Sequence, residues 1–378
     1  MLYYIGYYAD SQNKQNRKIV LSATNKMRYV FKVLTENNID FQVVSSSMTT
    51  DKKYYSDSFE QVSEKMSFKQ FKTFGRKNIL TKLIDRYFSK IQLFNYLMKT
   101  VKKDDVLLVY HSPFFCKLIP LIKKIKKCKI ILEVEEVYAD VNGNKNLREK
   151  ELYICNNADA FLFPTKMLSD AVNPNNKPYL LIHGTYMVED DRENIFNDGK
   201  IHVVYAGTFD PRKGGGVAAK VAEFLDERYH VHILGFGSEQ QTEDLKNEIE
   251  KISTLTKCSV TYDGCLSGEE YLNFIHSCDI GLSPQNPQAS FNSTSFPSKI
   301  LSYMSNGLRV VSIDIPAIKT SAVGDNLYYY QNQTPEEIAK TIMSIDLNDA
   351  YNGKEIISEM DKEFSNEIVS LLKDLENV

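Results

Sequence analysis

The sequence has no CxxC pair, and its six cysteines (Cys116, Cys128, Cys155, Cys258, Cys265, Cys278) show no metal-ligand spacing. They read as reduced, mostly buried thiols, which argues against a disulfide framework or a cysteine-held metal centre. No stretch approaches the roughly 18–20 consecutive apolar residues that a membrane-spanning helix needs. The opening residues, MLYYIGYYADSQNK, lack a basic flank followed by a long apolar core, so no signal peptide is expected and a cytoplasmic location is. There is no GxxxxGK[ST] phosphate loop. No acidic pair of the DxD kind stands at a strand end in the second half, so no metal is expected at the reaction site. No recognition helix or interleaved basic–aromatic platform is present, so nucleic acid is not an expected partner.

The chain is about two domains long at 378 residues, and its charge is polarised along its length. Residues 1–184 hold 30 Lys+Arg against 18 Asp+Glu, whereas the whole chain carries a net charge of −3. Such asymmetry indicates two domains with different surroundings.

Strand–helix alternation runs through both halves. In the first, strands are expected at 2–8, 41–45, 105–110, 129–134, 160–163 and 179–182. Residues 46–75 are polar and poorly periodic and read as a long loop. A helix over 78–103 is strongly periodic, with Leu80, Leu83, Ile84, Tyr87, Phe88, Ile91, Phe94, Met98 and Val101 as its apolar stripe. Lys82, Arg86 and Lys90 line its outer face, preceded by Lys65, Lys69, Lys72, Arg76 and Lys77. The basic segment 65–103 reads either as a solvated face or as a surface for anionic lipid headgroups. Two strand ends carry functional side chains: His111 follows one, and Glu135 and Glu136 follow another, where open α/β sheets place ligands.

A charged connector through residue 199 separates 1–185 from a second domain, 200–350. There the strand 201–206 feeds a turn containing Thr208, Arg212, Lys213 and three glycines, and then a helix. Glycines allow close backbone approach and a lysine adds a charge-assisted bond, so the turn suits phosphate. The stretch SFPSKILSYMSNGLRVVSID repeats that logic, with Pro297, Ser298 and Lys299 opening a helix and Asn306-Gly307 closing it. A last helix over 354–378 carries Phe364, Ile368, Leu371, Leu372 and Leu375 on one face.

Four stretches in order, YAGTFDPRKGG, HILGFGSE, YDGCLSGEEYLNFIHSCDIGLSP and FPSKILSYMSNGLRVVS, resemble the nucleotide-sugar domain of retaining group 1 glycosyltransferases with the GT-B fold. The resemblance implies an α/β architecture of two doubly wound, Rossmann-like domains facing a central cleft, with the C-terminal helix packing back on the first. It implies transfer of a sugar from a nucleotide-diphospho-sugar, a UDP-sugar foremost, to a glycan, glycolipid or glycoprotein acceptor, with retention and without a cofactor. In its terms Lys213 binds the donor diphosphate, and Ser298 and Lys299 meet the phosphates and ribose. Gly235 lies near the nucleotide, and Gly264, Cys265 and Leu266 lie by the base. Glu136 and His111 lie by the reacting sugar as catalytic helpers. The implied setting is polysaccharide or glycoprotein assembly, and the basic segment 65–103 extends the cytoplasmic expectation to a peripheral place on the inner face of the plasma membrane. Three positions depart from the pattern: Thr208 stands where the family has arginine, Thr294 and Ser302 stand where many members have glutamates, and Gly6-Tyr7-Tyr8 replaces a two-glycine loop. These departures leave open a non-catalytic GT-B partner of a transferase, or a sugar-nucleotide epimerase.

Overall fold

Short apolar runs such as LYYIG, VLLVY and KIILE form strands whose residues are nearly all buried, as parallel strands covered on both faces should be. The computed structural model describes residues 1–9, 15–46, 48–142 and 144–376. The loop read ahead of Arg17 and the end of the last helix fall partly outside them. The chain divides into two units, residues 1–182 with 363–378, and residues 183–362.

In the first unit the strands are β1 (Leu2–Gly6), β2 (Phe41–Ser45), β3 (Ser58–Gln61), β4 (Met66–Gln70), β5 (Val106–Tyr110), β6 (Lys129–Glu133), β7 (Ala160–Phe163) and β8 (Tyr179–Leu181). They form one sheet in the order β3-β4-β2-β1-β5-β6-β7-β8. All neighbours are parallel except β3 and β4. The order reverses between β1 and β5, so the crevice of this sheet opens at Gly6 and Tyr110.

The expected loop over 46–75 is therefore corrected, because it contains β3 and β4. Periodicity missed β4 because all five of its residues are buried, including three polar ones. Ser67 accepts from Gln42 at 3.1 Å, Lys69 pairs with Asp57, and Gln70 donates to the Tyr8 carbonyl. The apolar stripe expected on the long helix is also corrected. Helix Ile79–Thr100 buries Asp85, Ser89, Leu93 and Leu97, whereas Leu80, Leu83, Ile84, Tyr87 and Ile91 are exposed. The buried polar pair is tied down locally: Asp85 accepts from the Phe74 N–H at 3.0 Å, and the Ser89 hydroxyl donates to the Asp85 carbonyl at 2.8 Å.

The second unit holds β9 (Ile201–Thr208), β10 (Tyr229–Phe236), β11 (Ser259–Gly264), β12 (Ile280–Ser283), β13 (Arg309–Ile313) and β14 (Tyr328–Tyr330). The sheet is all parallel, in the order β11-β10-β9-β12-β13-β14. Its order reverses between β9 and β12, so its crevice lies beyond Thr208 and Ser283. The last helix, Gly353–Glu376, begins in the second unit and ends in the first. Phe364 is buried there, its ring stacked 5.8 Å from that of Tyr29.

Candidate active site

Each unit presents polar side chains at the crevice of its own sheet. In the second, two glycines allow the backbone approaches that shape it. Gly235 has φ 132°, and a Cβ there would lie 1.7 Å from the Gly207 carbonyl oxygen. Gly214 has φ 84°, and its Cβ would lie 1.8 Å from the Pro284 carbonyl oxygen, so the loop after β9 is pressed against the loop after β12. Immediately before Gly214 runs the single turn Pro211–Lys213, capped by Asp210, which accepts from the Arg212 N–H at 2.9 Å. The Arg212 guanidinium donates to both oxygens of the same carboxylate, at 2.6 to 3.1 Å.

Lys299 opens the helix Lys299–Ser305. The residue is half-buried, yet its Nζ is sealed from solvent and has no hydrogen-bond partner among the described residues. It stands 3.9 Å above the centre of the Tyr205 ring, whose hydroxyl donates to the Thr208 carbonyl at 2.8 Å. A Cβ on Gly207 would come within 3.1 Å of Nζ. Burial pushes the ammonium down to about 7, and the like charge of Lys213 pushes the same way. The ring face offsets part of the cost of the buried cation, but among the described residues no carboxylate neutralises it. The arrangement leaves a buried amine whose charge an anion would neutralise.

The remaining expected residues lie around this amine to differing degrees. The Tyr262 hydroxyl donates to the Gly235 carbonyl at 3.1 Å, holding β10 and β11 together just before Gly264, Cys265 and Leu266. Cys265 is exposed and Leu266 half-buried. Ser298 is exposed and makes no side-chain cap. Ser302 faces inward, its hydroxyl 3.5 Å from that of Tyr271, while Thr294 is half-buried in the segment before the helix.

In the first unit His111 follows β5, its N–H donating to the Glu133 carbonyl at 2.8 Å. The ring is 2% exposed, and burial lowers its pKa to about 4. Nε2 lies 3.5 Å from Glu151 Oε1, and a hydrogen bond with the Glu136 backbone opposes the fall. Glu151 is itself buried, accepting from the N–H groups of Tyr138 and Ala139 at 2.9 and 2.8 Å. Glu133, the last residue of β6, is fully buried and accepts from the Tyr4 hydroxyl. Burial raises its carboxyl to about 7 against the opposing pull of Lys26. Lys26 pairs with Glu135 and donates to the Ile182 carbonyl at 2.8 Å. Glu136 is half-buried next to this group.

Sequence reasoning passed over Glu133, Glu151, Lys26 and Tyr205. Glu133 alone left a signal, a carboxylate closing an otherwise apolar strand.

Two doubly wound α/β units in one chain make this a GT-B fold. Residues 200–346, most of the second unit, match the family model described as Glycosyl transferases group 1. Among solved structures, sucrose-phosphate synthase from Thermosynechococcus elongatus matches with a TM-score of 0.72 at 12% identity, covering 99% of this chain and 98% of that one. A UDP-forming trehalose-phosphate synthase from Burkholderia xenovorans matches with a TM-score of 0.67 at 10% identity, covering 99% of each. An E. coli trehalose-6-phosphate structure bound with UDP-2-fluoro glucose matches with a TM-score of 0.68 at 9% identity, covering 100% of this chain and 99% of that one. At these identities the likeness is one of fold. No curated protein matches the sequence. Among the described residues no helix is long and apolar enough to cross a membrane.

Proposed function

We propose that the protein transfers a sugar from a nucleotide-diphospho-sugar to a hydroxyl of a glycan or lipid-linked acceptor, with retention. The observation that carries this reading is Lys299, a sealed ammonium with no carboxylate partner among the described residues, beside the like charge of Lys213. Breaking the sugar–phosphate bond puts negative charge on the departing diphosphate. Cations already aimed at that position stabilise it without reorganising. Lys213 and Lys299 supply this compensation, so the transfer needs no metal at the diphosphate. The Thr208 hydroxyl occupies the strand end, and the segment Gly264–Leu266 borders the base. UDP is favoured because one structure of the same fold is bound with UDP-2-fluoro glucose and another is UDP-forming.

The acceptor hydroxyl passes its proton to the leaving phosphate. On this reading Glu136 offers a hydrogen bond to the reacting sugar, and the buried, neutral His111 ring supports it from behind through the Glu136 backbone. A lipid-linked acceptor accords with the exposed apolar side chains of helix Ile79–Thr100, next to exposed Lys77, Lys82 and Arg86. Each such basic residue contributes roughly 1 kcal/mol at an anionic membrane surface. Lys65 and Lys69 add less, being paired with Asp40 and Asp57. Equal recovery with anionic and zwitterionic vesicles in sedimentation would remove the membrane part of the reading.

The test of the donor site is calorimetric titration with UDP, GDP and ADP, on the wild type and on Lys299→Ala. Charge-assisted bonds are worth about 1.5–3 kcal/mol, so the variant should lose roughly tenfold or more in affinity for the one nucleotide that binds. Binding of none would favour a non-catalytic partner of a transferase. Turnover of a sugar nucleotide without any acceptor would make the protein an epimerase.

A further inference from the structure

Three histidines meet at the opposite end of the second sheet from Lys299. His202 is the second residue of β9, and His230 and His232 are the second and fourth of β10, with His230 in register with His202. His202 and His232 are buried and His230 half-buried. One ring nitrogen from each lies within 4.8 Å of the others. Phe196 closes one side, stacked 3.9 Å from the His202 ring and 5.0 Å from the His232 ring.

The contacts here outnumber the protons available to fill them. His202 Nδ1 and His232 Nε2 face each other at 2.9 Å. Their outer nitrogens face carboxylates: His202 Nε2 lies 3.0 Å from Asp198, and His232 Nδ1 lies 3.2 Å from Asp263. His230 Nε2 faces the Thr261 hydroxyl at 3.1 Å, and that hydroxyl donates to Asp263 at 2.9 Å. The Thr261 hydroxyl also lies 3.3 Å from His232 Nδ1, so six contacts share the four protons that three neutral imidazoles and one hydroxyl bring. When both imidazoles donate outward to their carboxylates, His202 Nδ1 and His232 Nε2 face each other as two lone pairs, and a cation between them satisfies both.

We propose that His202, His230 and His232 bind a divalent transition-metal ion, zinc foremost, with Asp198, Asp263 and Thr261 orienting the rings. An all-imidazole set suits zinc, copper or nickel and not magnesium or calcium. Carboxylates on the outer nitrogens fix the tautomers and raise ligand basicity, the usual support of a metal-bound histidine. Zinc–nitrogen bonds of about 2.0–2.1 Å in a tetrahedral site place ligand nitrogens about 3.3 Å apart, so the 2.9 Å pair has to open by only a few tenths of an ångström. The half-exposed side at His230 is the entry, and a solvent ligand completes the shell there. Six residues of strand, about 20 Å, separate His202 from Thr208. The ion is thus a clasp between β9 and β10 and takes no part in sugar transfer, and the inference stands or falls apart from the proposed function.

The test uses the full chain, made without a histidine tag and stripped with a chelator. Calorimetry with zinc should show one equivalent bound per chain, with magnesium giving no heat, and zinc should raise Tm. Asp263→Asn should weaken binding about 10–100-fold and His232→Asn should abolish it. Should His232→Asn fail to fold, cobalt substitution in the wild type serves instead, where the visible spectrum of a tetrahedral nitrogen site is expected. The proposal is overturned if the wild type takes up neither zinc nor cobalt, or if zinc binding survives unchanged in a folded His232→Asn. It is equally overturned if histidine NMR shows an imidazolium in the cluster that zinc leaves in place.

Discussion

The two units treat buried charge differently. In the first, partners come from within the chain: Lys26 meets Glu135 and the Ile182 carbonyl, Glu133 accepts from Tyr4, and Glu151 accepts from two backbone N–H groups. Burial still raises both buried carboxyls, so these partners lessen a cost and do not remove it. In the second, among the described residues no carboxylate answers Lys299, whose ammonium has only a ring face below it and a like charge nearby. The first network is held whether or not a ligand is present. The second carries a cost that, on the proposed reading, an arriving anion relieves.

The contrast can be broken most severely through the backbone. Gly235→Ala puts a methyl group 1.7 Å from the Gly207 oxygen, at a φ of 132° that alanine does not tolerate. We expect a loss of more than about 4 kcal/mol, read by urea unfolding, and a second unit that no longer holds Lys299 in place. A wild-type midpoint would show that the approach of β9 and β10 is not fixed there. Next in size is Lys26→Met, which leaves Glu135 without its partner and Glu133 without its nearby cation. This variant should cost roughly 3 kcal/mol in the same experiment while leaving nucleotide affinity unchanged. Weakened nucleotide binding with intact stability would reverse the roles assigned to the two networks.

The smallest effect is a proton. Lys299, pushed to about 7, is mostly neutral at pH 8 in the free protein, and a neighbouring diphosphate restores its ordinary, higher value. Binding at pH 8 should therefore take up about one proton, with the uptake fading as pH falls below 7, where the free ammonium is already charged. Binding enthalpies measured in buffers of different ionisation enthalpy give this number directly. An enthalpy independent of buffer at pH 8 would mean that no anion reaches Lys299.

Much of the second unit could be read from the sequence because its signals are contiguous. A buried strand, a glycine-rich basic turn and a helix carrying Lys299 follow one another over short spans. The first unit hid more. β4 escaped because Ser67, Lys69 and Gln70 are buried with partners from elsewhere in the chain, so its polarity resembled that of a loop. Helix Ile79–Thr100 misled for the converse reason, its most apolar face being the exposed one and its core face carrying Asp85 and Ser89. The histidine cluster could not be read at all, since 28 positions separate His202 from His230 and only parallel pairing brings them side by side. The Thr294 and Ser302 departures were legible as departures, and the structure gives Ser302 a neighbour, Tyr271, that no local pattern announces.

The path of the last helix bears on how the protein is made. Phe364 stacks on Tyr29, and Asn37 donates to the Ser365 hydroxyl at 2.6 Å, so the first unit closes its core with residues synthesised after the whole of the second. On the ribosome the N-terminal half must wait, its surface around Tyr29 uncovered, while 180 residues of another unit emerge and fold. Order of synthesis and order of completion are thus inverted, and a chain cut before residue 363 leaves the part made first unfinished.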